Sequence, residues 1–263
     1  MIHPAYNLFL AIYLAHLLTD FVFQTTGLVS KKHRGDWHAY VTHGVTHYVL
    51  VLAIVALTDP HRFPTPSFQL VAVSLSGIHL LVDWAKVSST RSRLLPDNAL
   101  VFLLDQAIHL LTVIGAVFFL VHPSVQTFVF WLARIRSFQD KILLVTVVYV
   151  LVIFGGGYLI RALIAPLWKG EQGKETKDHE EVINAGLYIG WLERFLVLTA
   201  LFLQSPATVG FILAAKSIAR YPELKSVRFA EYFLIGTLLS VAIAIGGAIV
   251  LLKALYGTVA IGK

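Results

Sequence analysis

Histidine and aspartate residues recur in pairs within four apolar blocks in the first half of the sequence. Each block carries one pair whose members are four residues apart, and such residues lie on the same face of an α-helix, one turn apart. The pairs are His16 and Asp20, His43 and His47, His79 and Asp83, and Asp105 and His109. Imidazole and carboxylate groups together are typical ligands of zinc, iron and manganese. The pattern predicts that these eight residues hold one or two divalent transition metal ions: zinc, manganese or iron.

The same residue types suit hydrolysis. A bound divalent ion lowers the pKa of its water to about 7, and a nearby carboxylate can then accept the proton. Asp20, Asp83 and Asp105 are the candidates for this catalytic role. The alternative is structural, with Asp–His hydrogen bonds that tie the helices together. Because one ionisable side chain inside a bilayer costs about 2.5–3.5 kcal/mol, eight of them favour metal or proton chemistry over this alternative.

The composition indicates an integral membrane protein. Hydrophobic residues make up 57% of the 263 residues and charged residues 14%, against about 45–50% and about 25% in soluble domains. The net charge is +6, but Lys and Arg lie at the ends of apolar blocks, which is typical of membrane orientation rather than of nucleic-acid binding. The absence of cysteine from the sequence excludes thiolate ligands and disulfides. We expect membrane lipid, and no nucleic acid, as the partner.

The apolar residues form blocks of about the length that crosses a hydrocarbon core of about 30 Å. They predict an all-α, polytopic transmembrane protein with about eight spans: a four-helix bundle followed by a second helical half. The expected spans cover about 5–23, 39–57, 68–87, 99–121, 142–165, 185–203, 207–219 and 229–255. The expected domains are the bundle with its His/Asp layer at 1–125, an interfacial helix and fifth span at 126–168, a polar cytoplasmic loop at 169–183, and a C-terminal three-helix half at 184–263.

The distribution of Lys and Arg predicts the orientation, since these residues concentrate in short cytoplasmic loops. The polar loop after the first block contains Lys31, Lys32 and Arg34, and the loop after the third contains Arg91 and Arg93. The N-terminus is therefore expected outside. At about 1.5 Å per residue, all four His/Asp pairs would lie about 5–15 Å below the cytoplasmic surface, which makes one shared polar layer.

A second group of charged residues lies in the last three blocks. Glu193 and Arg194 fall near mid-block, where charge is expensive. One interpretation is internal ion pairing, with Glu193 or Glu231 meeting Lys216 or Arg220. The other is a site for an anionic lipid headgroup, since Arg makes forked contacts with phosphate. The candidate substrate-binding residues are Lys86, Glu193, Arg194, Lys216 and Arg220.

Four motifs in the first half resemble those of an uncharacterised family of bacterial integral membrane proteins, the domain of unknown function 3307. They are His16-x-x-x-Asp20-Phe21-x-x-Gln24, the His43/His47 pair, His79-x-x-x-Asp83-x-x-Lys86 and Phe102-Leu103-Leu104-Asp105-Gln106-x-x-His109, in this order within residues 5–125. The second half is similar to the C-terminal extension of the longer members. The resemblance implies a multi-pass protein of the bacterial inner membrane and implies no activity.

The residues favour a metal-dependent hydrolase that acts on a phosphate-bearing lipid or amphiphile. A transporter or channel for a metal ion or protons is the second hypothesis, because intramembrane Asp and His residues form proton relays. A third is a non-catalytic scaffold or partner subunit in which the polar layer only sets the helix register. No oligomeric state follows from the sequence.

Overall fold

A computed structural model describes residues 4–123, 137–168 and 178–257, and within these ranges the chain is helical without a β-strand. The α-helices are α1 (Pro4–Leu18), α2 (Thr26–His33), α3 (Trp37–Thr58), α4 (Pro66–Arg91), α5 (Ala99–Val121), α6 (Phe138–Val150), α7 (Gly156–Trp168), α8 (Asp178–Phe202), α9 (Pro206–Ala219) and α10 (Val227–Tyr256). Single π-helical turns follow α1, at Thr19–Phe23, and α6, at Leu151–Gly155. A short 3₁₀ turn, Glu223–Lys225, precedes α10.

Every apolar block of the sequence is helical, so the predicted all-α architecture is confirmed. Six helices in the described ranges are long and apolar enough to cross a membrane. They are Ala5–Phe23, Trp37–Thr58, Pro66–Arg91, Ala99–Val121, Phe138–Ala165 and Val227–Tyr256. The shorter apolar helix Pro206–Ala219 matches the seventh predicted block, and α8 covers the sixth.

Local sequence signals set the ends of the helices in the first half. Polar side chains accept hydrogen bonds from the exposed amides of first turns, as N-caps do, and Pro66 occupies the first turn of α4, where its missing N–H costs nothing. The capping residues and the amides they bind are Thr25 and Leu28, Asp36 and His38, and Asn98 and Val101.

Three predicted segments differ from the structure or lie wholly or partly outside the residues that it describes. The polar loop after the first block contains the helix α2, which contacts both α3 and α4. The expected interfacial helix falls on residues 128–135, outside the described residues. Of the predicted polar loop 169–183, residues 169–177 also lie outside them, and α8 already begins at Asp178.

The chain divides into two compact units, Met1–Val150 and Leu151–Lys263. In the first unit α1, α3, α4 and α5 form a four-helix bundle in which each helix contacts its two neighbours in the ring. Helix α6 packs on the outside of α1, where the Asn7 amide donates to the buried Asp140 carboxylate at 3.0 Å. This extra cover explains why 72% of the α1 span is buried, compared with 28% of the α3 span.

The interior of the bundle is apolar at one end and polar at the other. Buried residues four apart form one ridge along each helix, and each ridge passes from aliphatic to ionisable residues. In α5, for example, the ridge contains Val117, Val113, His109 and Asp105. The apolar end is built from the N-terminal parts of α1 and α4 and the C-terminal parts of α3 and α5, as antiparallel neighbours require. It contains Leu8, Ile12, Val51, Val55, Phe68, Leu75, Val113 and Val117.

In the second unit α8 packs against α9 and α10. Its core is aliphatic and includes Val197, Leu198 and Leu201 of α8 with Ala244, Ala248 and Leu251 of α10, all buried. The small side chains on α10 let the two helices approach closely, as is common where transmembrane helices pack.

Candidate metal centre

The eight His and Asp residues of the predicted layer lie in one buried cluster at the polar end of the bundle. Each of the four helices contributes one pair, and none of the eight residues is more than 7% exposed. Neighbouring imidazole rings lie close together: the His47 and His79 centroids are 4.4 Å apart, and those of His16 and His109 are 4.7 Å apart. The eight residues, which the sequence predicts at a common depth, thus also lie close to one another across the interior of the bundle.

Asp20 lies at the centre of this cluster, in the π-helical turn that follows α1. Its Oδ1 lies 3.2 Å from His43 Nε2 and 3.2 Å from His79 Nε2, and these two nitrogens are 2.9 Å apart. The three atoms form a triangle with edges close to those of a coordination shell, because ligands at about 2.1 Å from a metal are about 3.0–3.4 Å from one another. These three atoms could therefore serve as ligands on one face of a small cation.

The hydrogen bonds around the histidines direct ring lone pairs into the cluster. His109 Nδ1 donates to the Asp105 carbonyl at 2.8 Å, which leaves Nε2 as the acceptor nitrogen. This Nε2 is buried and has no hydrogen-bond partner among the described residues. His16 Nε2 donates to Gln106 Oε1 at 3.3 Å, so the lone pair of Nδ1 faces Asp20 Oδ2 at 3.8 Å. A lone pair that faces a carboxylate is repulsive unless a cation lies between them.

His47 is also oriented by a hydrogen bond to one of its ring nitrogens, but it lies at the edge of the cluster. Ser76 donates its hydroxyl hydrogen to the Ala72 carbonyl and accepts from His47 Nδ1 at 2.9 Å. The ring of His47 stacks on His79, with an interplanar angle of 11°.

Three overlapping groups of side chains offer ligand atoms that all lie within 4.8 Å of one another. They are His16, Asp20, His79 and His109; His43, His79 and Asp83; and Asp83, Asp105 and His109. Seven of the eight predicted ligands belong to at least one group, and His47 belongs to none of these three. The cluster could therefore hold a metal ion in more than one position.

Two lysines pair with two of the three carboxylates. Lys32 donates to Asp83 Oδ2 at 2.6 Å, and Lys86 donates to Asp105 Oδ2 at 2.7 Å. Asp20 has no Lys or Arg partner within 4 Å in the described part of the chain. Lys86, which was predicted from the sequence to bind substrate, forms an ion pair with Asp105 of the cluster.

Sequence reasoning missed Lys32, Ser76 and the π-helical turn at Asp20. Lys32 was interpreted as a loop residue, whereas it is 3% exposed and also donates to Gln24 Oε1 at 2.6 Å. Its helix had a signal, since Thr25 can cap it and Gly35 can end it. Ser76 lies three residues before His79 on the same face of α4. Nothing in the sequence marks the π-helical turn, although such turns often occur at functional sites.

The other predicted substrate-binding residues belong to the second unit. Glu193 pairs with Lys216, which also donates to Thr237 Oγ1 at 2.9 Å. Arg220 contacts Glu223 at 3.3 Å. Of the two interpretations that the sequence allowed, the structure therefore contains an internal ion pair of Glu193 with Lys216.

Arg194 is 4% exposed and binds the backbone. Its Nε and Nη2 donate to the Ile153 carbonyl at 2.9 and 2.7 Å, inside the π-helical turn where the regular helical hydrogen bonding is interrupted. A Cβ at Gly157 would lie 2.7 Å from Arg194 Nη2, so glycine at this position gives the guanidinium its room. The contacts of Arg194 are those of a structural residue.

The fold and the cluster define a class: a polytopic helical protein with spans long enough for a membrane and a buried His/Asp cluster that could bind a metal ion. Residues 8–138 match the model of the family described as Protein of unknown function (DUF3307), and this part of the chain belongs to that family. The match includes three helices of the bundle in full, α1 from residue 8 onward, and all eight residues of the cluster, which confirms the resemblance. No curated protein and no solved structure matches the chain significantly.

Proposed function

We propose that the bundle binds one divalent transition metal ion through Asp20, His43 and His79, with His16 and His109 completing the site. We further propose that the protein uses this ion to hydrolyse a phosphate-bearing lipid or amphiphile. The proposal keeps the orientation that the Lys and Arg residues predict. The N-terminus would lie outside and the cluster near the cytoplasmic face of a bacterial inner membrane.

The observation that carries the metal proposal is that the buried Asp20 carboxylate has imidazoles beside it but no Lys or Arg within 4 Å among the described residues. A buried carboxylate without a cationic partner costs several kcal/mol, and Oδ1 of Asp20, although 3.2 Å from two imidazole nitrogens, makes no hydrogen bond within the described structure. His79 Nδ1 and His109 Nε2 are also buried without hydrogen-bond partners there, and each such atom costs about 1–3 kcal/mol. A divalent cation between Asp20 and the imidazoles would compensate the carboxylate and occupy the His109 lone pair.

The charges of the cluster favour one ion over two. Three carboxylates and two ammonium groups leave one net negative charge when the imidazoles are neutral, as metal ligands require. One divalent ion reverses this to one positive charge, whereas a second ion would leave three positive charges in a buried site. The overlapping ligand groups then offer alternative positions for one ion.

Hydrolysis is supported by the carboxylates that remain. A bound ion would supply a water molecule that loses its proton near neutral pH. Asp83 lies 3.2 Å from His43 Nε2, so its carboxylate is within reach of a proton released there, and Asp105 belongs to the ligand group that contains Asp83 and His109. Lys32 and Lys86 bind these two carboxylates and would also attract the oxygens of a phosphate.

The apolar end of the bundle favours hydrolysis over transport. On the far side of His47 the interior is filled by aliphatic side chains and Phe68, which is fully buried. An ion or proton path would need polar groups or water through this region. A substrate would therefore have to reach the cluster from its polar end, which α2 covers through the contact of Lys32 with Asp83.

Metal analysis of the purified full chain tests the proposal. We expect about one zinc, manganese or iron ion per chain, and a loss of at least about tenfold in Asp20→Asn, which keeps the shape but removes the charge. Asp59→Asn is the matched control, because Asp59 lies in the same unit and pairs with Arg62 away from the cluster. Metal retained in Asp20→Asn, or a folded chain without metal, would overturn the metal site.

The reaction needs its own measurement. Metal-loaded protein in mixed micelles should release phosphate or a phosphorylated headgroup from a phosphate-bearing lipid, and Asp20→Asn should not. A metal-loaded chain that cleaves none of a panel of phospholipids and phosphomonoester lipids would refute the hydrolase. Proton or metal flux into liposomes that is lost in Asp20→Asn would favour transport instead.

A further inference from the structure

A cavity of about 160 Å³ lies at the covered end of the bundle, between the segment that follows α2 and the C-terminal half of α4. The residues around it that matter here are Lys32, Gly35, Trp37, Tyr40, Trp84 and Arg91. Sites for whole small molecules usually measure about 300–1,000 Å³. A cavity of this size would enclose a small group such as a phosphate and leave the rest of a larger ligand outside.

The cavity carries positive charge without a carboxylate among its lining residues. Arg91 has no Asp or Glu within 4 Å in the described ranges, so its five N–H donors are not committed to an ion pair. Lys32 uses two of its three ammonium hydrogens on Asp83 and Gln24. Uncommitted guanidinium donors beside a buried ammonium are what a phosphate ligand requires.

Gly35 leaves room for the end of the Arg91 side chain at the cavity. Its φ of +83° is in the left-handed region that favours glycine. A Cβ here would lie only 2.9 Å from Arg91 Nη1. The absence of a side chain at Gly35 thus lets the end of the Arg91 side chain lie close to the main chain.

The aromatic residues beside the cavity point to a membrane amphiphile. Trp37 and Trp84 are 63% and 55% exposed, and Trp residues are enriched where a membrane meets water. Tyr40 also lines the cavity, and Lys32 Nζ lies 5.8 Å from its ring centre. A headgroup in the cavity would have its acyl chains beside exposed aromatic and aliphatic side chains rather than in water.

Lys32 connects this cavity to the metal cluster. It lines the cavity and also binds Asp83, which lies 3.2 Å from His43 Nε2. We propose that the cavity binds the phosphomonoester headgroup of a membrane lipid, with Arg91 and Lys32 as its two cationic contacts. The proposal rests on the proposed function for what happens to the headgroup after it binds, but the binding itself needs no metal.

Lipid binding by the full chain reconstituted in phosphatidylcholine bilayers tests the site. The probes added to those bilayers are phosphatidic acid, a phosphomonoester, or an equal charge of phosphatidylglycerol, a phosphodiester. We expect the wild-type chain to prefer phosphatidic acid and Arg91→Gln to lose at least about tenfold in that affinity, as the loss of a charge-assisted contact does. Arg93→Gln is the control, since it removes the same charge two residues further along the chain, at a residue that does not line the cavity. Gly35→Ala should weaken the preference less than Arg91→Gln does, because its Cβ would shift only the end of the flexible Arg91 side chain.

Each result decides between specific possibilities. Equal losses in Arg91→Gln and Arg93→Gln, or equal binding of both anionic lipids, would overturn the site. Saturation by millimolar inorganic phosphate with no added affinity for the lipid would overturn the lipid as the ligand. Metal content measured on the same samples separates the two proposals: Arg91→Gln should keep the wild-type content. A chain without metal that still prefers phosphatidic acid would refute the metal centre alone.

Discussion

The buried ion pair of Lys32 and Asp83 gives a stability prediction that can be worked from the structure. Lys32→Met keeps most of the aliphatic length of the side chain and removes the ammonium group, which is 2.6 Å from Asp83 Oδ2 and 2.6 Å from Gln24 Oε1. Removing one partner of a buried pair costs about 3–5 kcal/mol, because the other charge is left without compensation. Lys31→Met is the control, since Lys31 is the exposed neighbour on the same helix.

The magnitude converts into a measurable thermal shift. In a domain of about 150 residues, 1 kcal/mol corresponds to about 2–4 °C in Tm, so Lys32→Met should unfold about 6–20 °C below wild type and Lys31→Met within about 2 °C of it. Tryptophan fluorescence of the chain in detergent follows the transition, because Trp37 and Trp84 lie next to α2. The decrease in Tm of Lys32→Met should be larger after chelation. Before chelation, a bound cation near Asp83 would partly replace the charge that the substitution removes.

A double-mutant cycle isolates the pair. Asp83→Asn removes the charge that Lys32 compensates, so Lys32→Met should cost less in the Asp83→Asn background, with a coupling of about 2–3 kcal/mol. Additive losses, or a Lys32→Met variant as stable as Lys31→Met, would show that the two residues do not form the buried pair. In that case α2 would not cover the cluster.

Three further outcomes follow from the bundle and its cluster. Gly44→Ala should cost about 1–3 kcal/mol, since a Cβ there would lie 2.4 Å from Leu80 Cδ1. Adding Leu80→Ala to the Gly44→Ala variant should restore part of its free energy of unfolding, measured by denaturation. If no stability is restored, the close contact of α3 with α4 is refuted. Gln106→Ala should weaken metal binding about 10–100-fold, because His16 loses the acceptor that orients its ring. Gln139→Ala, at the other end of the bundle, is its control in a chelator competition assay. Metal affinity should also fall by about tenfold or more from pH 7 to pH 5.5, as protons compete for imidazole nitrogens. A pH-independent affinity in the same assay would argue against histidine ligands.

The sequence by itself determined the helices and the depth of the ionisable layer. Blocks of about twenty apolar residues have few structural solutions other than membrane-spanning helices. Within them, pairs such as His16 and Asp20 must share a helix face because of the helical period. Antiparallel order then brings His79 and Asp83, near the end of α4, to the level of His43 and His47, near the start of α3.

Only the tertiary structure decided what the layer contains and which charges are paired. Lys32 is nearly adjacent to Asp83 in space and 51 residues away in the chain, and no local pattern says that α2 folds back over the bundle. The tautomers of His16 and His109 depend on Gln106 and on a backbone carbonyl, which only packed helices bring into position. The same holds for Arg194, whose partner is a carbonyl freed by a π-helical turn. Spacing along one helix is a local property, whereas the compensation of a buried charge depends on whatever the rest of the chain places beside it.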